Sequence, residues 1–230
     1  MITIRPIEGL PEVRPGDDLP ALIAAAATGE SNETPLQDDD VVVVAHKVVS
    51  KAEGRLVPGG DRLAAARSES MRILRRFDDM VISETRHGFV CANAGVDASN
   101  VEGDRLVLLP LDPDLSARRL RARLERLTAV RLGVVVSDTF GRAWRVGQTN
   151  VAIGVAGIDP FVDYRGTSDA NGRELSATEI CVADEIAGAA ELVMGKTLGV
   201  PAVVVSGAPV RFGRGAASDI VRPPSQDLFR

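Results

Sequence analysis

The chain has 230 residues, 45% apolar but only 3% aromatic, with 27 Lys and Arg against 32 Asp and Glu for a net charge of −5. That length suits one large domain or two small ones with a core built mostly of Val, Ala, Leu and Ile. The acidic balance argues against a nucleic-acid binder relying on a general basic field, while leaving room for a local basic pocket for phosphates.

Two cysteines, Cys91 and Cys181, and two histidines, His46 and His87, stand in no CxxC or HxxxH spacing. A structural zinc site therefore lacks ligands, and a disulfide framework is not expected. Any bound metal should be a hard cation held by Asp, Glu, Thr or backbone oxygen. No apolar h-region opens the chain and no apolar run approaches about 20 residues, so a cytoplasmic protein without a membrane span is expected.

In chain order, residues 2–4 read as a short strand. Asp17 and Asp18 precede an apolar helical run, Leu19 to Ala27. Residues 28–35 read as a loop, and Val41–Ala45 as a strand buried on both faces. Gly59-Gly60 closes a turn ahead of a basic helix over 61–77. Short strands follow at 81–83 and 89–92, around a turn at His87-Gly88, and at 106–109, stopped by Pro110. Residues 114–128 suit an Arg-rich amphipathic helix, 133–137 a buried strand and 150–158 another. Ser176 and Glu179 have capping-box spacing ahead of a helix over 177–194, ended by Gly195-Lys196. Residues 202–206 form a last buried strand. The pattern predicts a mixed α/β fold over 1–230, and a second lobe, if present, starts after about residue 157, where a Gly- and Pro-rich stretch runs to 175.

No GxxxxGK[ST] loop occurs, and no GxGxxG opens a helix after a strand. Gly213-Arg214-Gly215 is a basic glycine turn that reads more readily as a flexible loop than as a phosphate cradle. Three other segments carry more chemistry. In Val41–Arg55 a buried strand ends at His46 and Lys47, with Lys51 and Arg55 close behind. Strand ends are where α/β folds bind ligands, so these cations suit phosphate, although a solvated basic loop would look the same. In Cys91–Val101, Gly95 permits a sharp turn that could aim Asp97 and Asn100 at one site; alone, this composition favours an Asx-type turn. In Gly133–Gly154 a buried strand delivers Asp138 and Thr139, a carboxylate and hydroxyl suited to Mg²⁺ or Mn²⁺, followed by Arg142, Trp144 and Arg145 as a possible anion site. The plainer reading there is an Asp cap and a surface Arg pair, but the polar cluster follows directly on a buried strand.

Taken together, VVSKAEGR, ANAGVDASNV and DTFGRAWRVGQTNVAIGVAG resemble the coenzyme F420-0:L-glutamate ligase family. The resemblance begins at Gly9-Leu10-Pro11-Glu12-Val13 and Pro15-Gly16-Asp17-Asp18. It continues through Asp163-Tyr164-Arg165-Gly166, Gly172-Arg173-Glu174-Leu175 and TEICVADEIAGAAELVMGK, and ends near Asp227-Leu228-Phe229. It implies a family-specific α/β ligase fold, distinct from P-loop and ATP-grasp enzymes, and a homodimer. It implies a GTP-dependent reaction joining L-glutamate to coenzyme F420-0 through an acyl phosphate, with two Mg²⁺ or Mn²⁺ sites and room for K⁺. Residue by residue, it implies nucleotide contacts from Leu10, Pro11, Glu12, Val13, His46, Lys51 and Asn100, and metal ligation by Asp97, Asp138 and Thr139. His46 departs from the pattern, standing where relatives often carry Ser or Thr. A late-loop metal ligand has no evident equivalent near Ser206–Val210. No covalent nucleophile is required by this chemistry. Two alternatives stay open: a metal-dependent phosphohydrolase or ligase acting on another carboxylate, and a non-catalytic nucleotide-binding module.

Overall fold

The computed structural model of the chain describes residues 1–28, 35–98 and 103–228. Its elements run β1 (Thr3–Pro6), α1 (Leu19–Ala27), β2 (Asp40–Ala45), α2 (His46–Ala52), β3 (Leu56–Pro58), α3 (Arg62–Glu69), β4 (Ser70–Phe77), β5 (Met80–Thr85) and β6 (Val90–Ala92). They continue with β7 (Arg105–Val107), α4 (Pro113–Thr128), β8 (Leu132–Arg142), β9 (Arg145–Ala156), β10 (Val162–Asp163), β11 (Glu179–Ile180), α5 (Val182–Met194) and β12 (Ala202–Ser206). The fold is mixed α/β, as the sequence pattern implies.

The central sheet has the order β1-β12-β2-β8-β9. β2 and β8 run parallel, and every other neighbouring pair is antiparallel. Its middle strands are valine runs because both faces are covered, and β-branched side chains pack well on a pleat. Val42, Val44, Val134 and Val136 face one core with residues of α1 and α4. Val41, Val43, Val135, Val203 and Val205 face the opposite core, where α5 supplies Ala183, Ile186, Ala187 and Ala190. Each fully buried valine contributes about 1.5–3 kcal/mol before the entropy of ordering the chain is subtracted. Asp18, Asp61 and Asp112 cap α1, α3 and α4, each carboxylate accepting a first-turn N–H. β3 pairs with β7, and β4-β5-β6 form a separate sheet. A third core of Ala66, Val81, Val96, Leu106 and Leu108 lies beneath them.

Three expected elements differ. The helix over 61–77 stops at Glu69, and Ser70–Phe77 is strand β4. Its pairing with β5 shifts register between Ser70 and Arg72 and again between Ile73 and Arg75. Such bulges interrupt the two-residue alternation, leaving Met71, Leu74 and Phe77 at a spacing that mimics a helix. The helix over 177–194 begins at Val182, with Glu179–Ile180 instead paired to Val162–Asp163. The capping box does not form: Glu179 Oε1 accepts from Arg165 Nη2 at 2.9 Å, a long-range partner no local spacing reveals. The strand over 150–158 is the inner end of the longer β9, hairpinned to β8, and its polar outer half reads as loop because it is exposed. Among the described residues no helix is long and apolar enough to cross a membrane.

Candidate active site

The parallel register of β2 and β8 creates the site. Ala45 sits opposite Ser137, so the residues that follow, His46 and Asp138, emerge side by side where β2 ends and β8 runs on into its hairpin with β9. That is where open α/β sheets receive ligands. A cleft of about 570 Å³ opens there, within the range of small-molecule sites.

Leu10 to Val13, His46, Lys51, Asp97, Asp138 and Thr139 all line this one cleft. Asn100 lies outside the described residues. Of these, Leu10 to Val13 come from the loop between β1 and α1, pinned where Val13 enters the core. His46 and Lys51 sit on α2, a short helix that begins as β2 ends. Asp97 follows a tight turn in which Asn93, Ala94 and Gly95 all have positive φ. Alanine rarely adopts that conformation, and a side chain at Gly95 would strike Leu109. Reciprocal backbone hydrogen bonds to Val107 then hold Asp97 in place.

The charges within the cleft are largely paired. Lys47 Nζ lies 2.7 Å from Asp97 Oδ2, and Lys51 Nζ donates to Glu12 Oε1 at 2.5 Å. Lys51 is 7% exposed whereas the Glu12 side chain is 60% exposed, so the lysine is the fixed member of that pair. It is neither the solvated charge nor the Glu53 partner that a surface lysine at this spacing would suggest. Arg62 donates through Nε and Nη2 to the carbonyl of Val96. Asp138 Oδ1 accepts from the Thr139 N–H at 2.7 Å. His46 Nε2 stands 3.2 Å from the same oxygen, but off the line of a hydrogen bond. Both ring nitrogens of buried His46, and Ser137 Oγ, have no hydrogen-bond partner among the described residues. Orphaned buried groups at a cleft wall are expected where a ligand completes them.

The donor set fits a hard divalent cation. Asp97 and Asp138 offer carboxylate oxygens, yet among the described residues no three His, Cys, Asp or Glu side chains gather into a full cage. Mg²⁺ and Mn²⁺ are commonly held in this way, by one or two carboxylates with phosphate oxygens and water completing the shell.

Several cleft residues escape a sequence reading. Asn150 faces Thr139 across the β8–β9 hairpin and accepts its hydroxyl proton at 2.6 Å; Glu191 lies near the end of α5, and Lys196 follows on the loop 195–201. Of the late loops, it is 195–201 that lines the cleft. Ser206 does not join it, because its hydroxyl is bonded to Asp40. A polar Asn at the head of an apolar strand run is the one signal that could have flagged this group. Arg142 and Arg145 do not line the cleft; they lie on the exposed end of the hairpin, where Arg142 Nη2 donates to Val146 O. The Gly213 and Gly215 turn also has a packing cause. Side chains there would strike Asp159 and Pro160 respectively.

The chain matches the model of the F420-0:Gamma-glutamyl ligase family over residues 9–207. It is 42% identical over 251 aligned positions to the coenzyme F420:L-glutamate ligase of Methanothermobacter thermautotrophicus, covering 100% of this chain and 99% of that protein. It is 43% identical to the protein of the same name from Methanopyrus kandleri, covering 100% and 98%, and 39% identical to that from Methanocaldococcus jannaschii, covering 85% and 86%. With the family model spanning most of its length and these relatives aligned nearly end to end, the chain belongs to the F420-0:gamma-glutamyl ligase family.

Proposed function

We propose that this protein is a GTP- and divalent-metal-dependent ligase that joins L-glutamate to coenzyme F420-0 through an amide bond. The observation that carries the reading is convergence. Leu10 to Val13, His46, Lys51, Asp97, Asp138 and Thr139, drawn from widely separated stretches of chain, meet in one cleft where the parallel pairing of β2 with β8 ends. Family membership supplies the ligase class, and the names of the relatives supply the acceptor and the amino acid.

In the proposed reaction a carboxylate of the acceptor attacks the γ-phosphorus of GTP, releasing GDP and forming an acyl phosphate. The amine of glutamate then attacks the acyl carbon, inorganic phosphate leaves, and the amine loses a proton. Phosphoryl transfer of this kind depends on positioning and charge stabilisation more than on a protein nucleophile. Lys51, buried at its base and paired with an exposed carboxylate, is placed to exchange Glu12 for a phosphate oxygen. The backbone of Leu10 to Val13 forms the wall beside it. Asp97 and Asp138, with Thr139 beside them, are the groups for divalent metal, which when bound neutralises charge on the phosphates. The orphaned His46 nitrogens give the imidazole a contact to offer the nucleotide.

The deciding experiment is incubation with F420-0, GTP, Mn²⁺ and glutamate, with mass spectrometry of the cofactor and measurement of GDP. A mass gain of one or more glutamyl residues is expected, with GDP formed over many turnovers only when glutamate is present. GDP release without glutamate and without a change in cofactor mass would identify a phosphohydrolase instead. Replacing GTP by ATP tests nucleotide choice separately.

A further inference from the structure

The cleft holds a closed ring of hydrogen bonds that includes a lysine ammonium. Thr139 donates its hydroxyl proton to Asn150 Oδ1 at 2.6 Å, and Asn150 Nδ2 donates to Glu191 Oε2 at 2.9 Å. Glu191 Oε1 lies 3.0 Å from Lys196 Nζ, and Lys196 Nζ closes the ring by donating to Thr139 Oγ1 at 2.6 Å. Asn150 is buried, and Thr139 and Asn150 are directly paired across the hairpin, so two members of the ring are fixed by the sheet. Every polar group in it has a partner of the right kind, and the ammonium keeps one N–H beyond the two it uses here.

We propose that the Lys196 ammonium is the second cation of this site, so that the protein works with one divalent metal at Asp97 and Asp138 rather than two. A metal ligated by Thr139 Oγ1 would sit about 2.1 Å from that oxygen. The ammonium is 2.6 Å from the same atom. Even with the three atoms in line, the two cations would stand less than about 5 Å apart, with no carboxylate between them; Glu191 is on the lysine. The lysine does instead what a second metal would do: it puts positive charge beside Thr139, on the wall of the cleft into which a polyphosphate must come. Thr139 is then a positioning residue that holds the ammonium, not a metal ligand. A resident lysine also differs from a metal in that its charge is present before any nucleotide arrives.

This inference rests on the nucleotide- and metal-binding reading above, and its test separates the two. Mn²⁺ is titrated into protein saturated with a non-hydrolysable GTP analogue, and free Mn²⁺ is followed by electron paramagnetic resonance, with analogue binding checked by calorimetry in the same buffer. One Mn²⁺ per chain is expected for the wild type and for Lys196→Arg, which retains the cation. Two are expected for Lys196→Gln, where the amide oxygen and the released Glu191 carboxylate become available. Two Mn²⁺ in the wild type overturn the lysine assignment while leaving the metal and nucleotide reading intact. One in Lys196→Gln, with a cooperative melt showing that the variant is folded, also overturns it. Absence of both Mn²⁺ and analogue binding in the wild type overturns both readings. If Lys196→Gln does not fold, the wild-type and Lys196→Arg stoichiometries decide.

Discussion

His46 Nε2 stands 3.2 Å from Asp138 Oδ1 because Ala45 and Ser137 are register partners in the parallel pair of the central sheet. The two residues are far apart in sequence, yet one strand pairing makes them neighbours at the head of the cleft. Asp138 is accordingly the side chain whose replacement tests the metal assignment most directly. Asp138→Asn keeps an oxygen to accept the Thr139 N–H, so the fold should persist. Glutamate addition should fall at least about a hundredfold, the scale on which loss of one charge-stabilising group acts in other enzymes. Assays of glutamate addition alongside a thermal melt check this, and near wild-type turnover would remove Asp138 from the metal site.

Lys51→Met should weaken nucleotide affinity by roughly ten- to a hundredfold, since a charge-assisted contact is worth about 1.5–3 kcal/mol. Methionine fills much the same buried space, and the exposed Glu12 carboxylate left behind stays solvated. The unliganded protein should therefore melt near the wild-type temperature, while stabilisation by added nucleotide shrinks. Calorimetric titration of GDP with Mn²⁺ measures the effect; equal dissociation constants would confine Lys51 to its pair with Glu12.

Burial raises the pKa of Asp184 above its ordinary 3.8, against the Ala152 N–H that its carboxylate accepts at 2.8 Å. The folded state therefore holds this proton more tightly than the unfolded chain does. The stabilisation this gives is complete below the ordinary carboxylate value and is lost as pH rises through the raised one. Asp184→Asn keeps an acceptor for Ala152 and carries no charge. The melting temperature of the variant relative to wild type should climb as pH increases above about 4 and then level off. A difference that stays constant with pH would show that Asp184 contributes no such linkage.

Gly154 lets strand β9 lie directly against the start of α4: a Cβ there would come within 2.3 Å of the Pro113 carbonyl oxygen. Since the obstacle is backbone, Gly154→Ala should cost about 1–3 kcal/mol, lowering the melting temperature by about 2–4 °C for each kcal/mol. Scanning calorimetry decides, and an unchanged melt would mean that the helix shifts freely.

The strands that position the site are legible in the sequence because they are buried on both faces. Val41–Val44 on β2 and Val134–Val136 on β8 are unbroken valine runs of this kind. Gly133, at the start of the second run, marks a close approach, since a side chain there would meet Ile158. Asp138 and Thr139 follow directly on the buried run of β8, so their place can be read from it. Lys196 cannot be placed in this way, because its role depends on Thr139 and Glu191, which reach it through a strand register and a helix end. β4 is hidden by its bulges, and β11 by a partner strand, Val162–Asp163, on the far side of a long loop. In each case what is lost to the sequence is a pairing, not a propensity.

β12 lies between β1 and β2, although among the described residues it is the last strand in chain order. During synthesis, β1 has no neighbour in the sheet and β2 keeps one edge open until residues 202–206 have left the ribosome. The first strand thus waits for the last, and the loop 10–13 that follows it waits as well. Sheets closed by such distant contacts form slowly, and an unpaired valine edge is prone to stick to other chains meanwhile. The proposed nucleotide binding should therefore switch on in the nascent protein only once residues 202–206 have emerged.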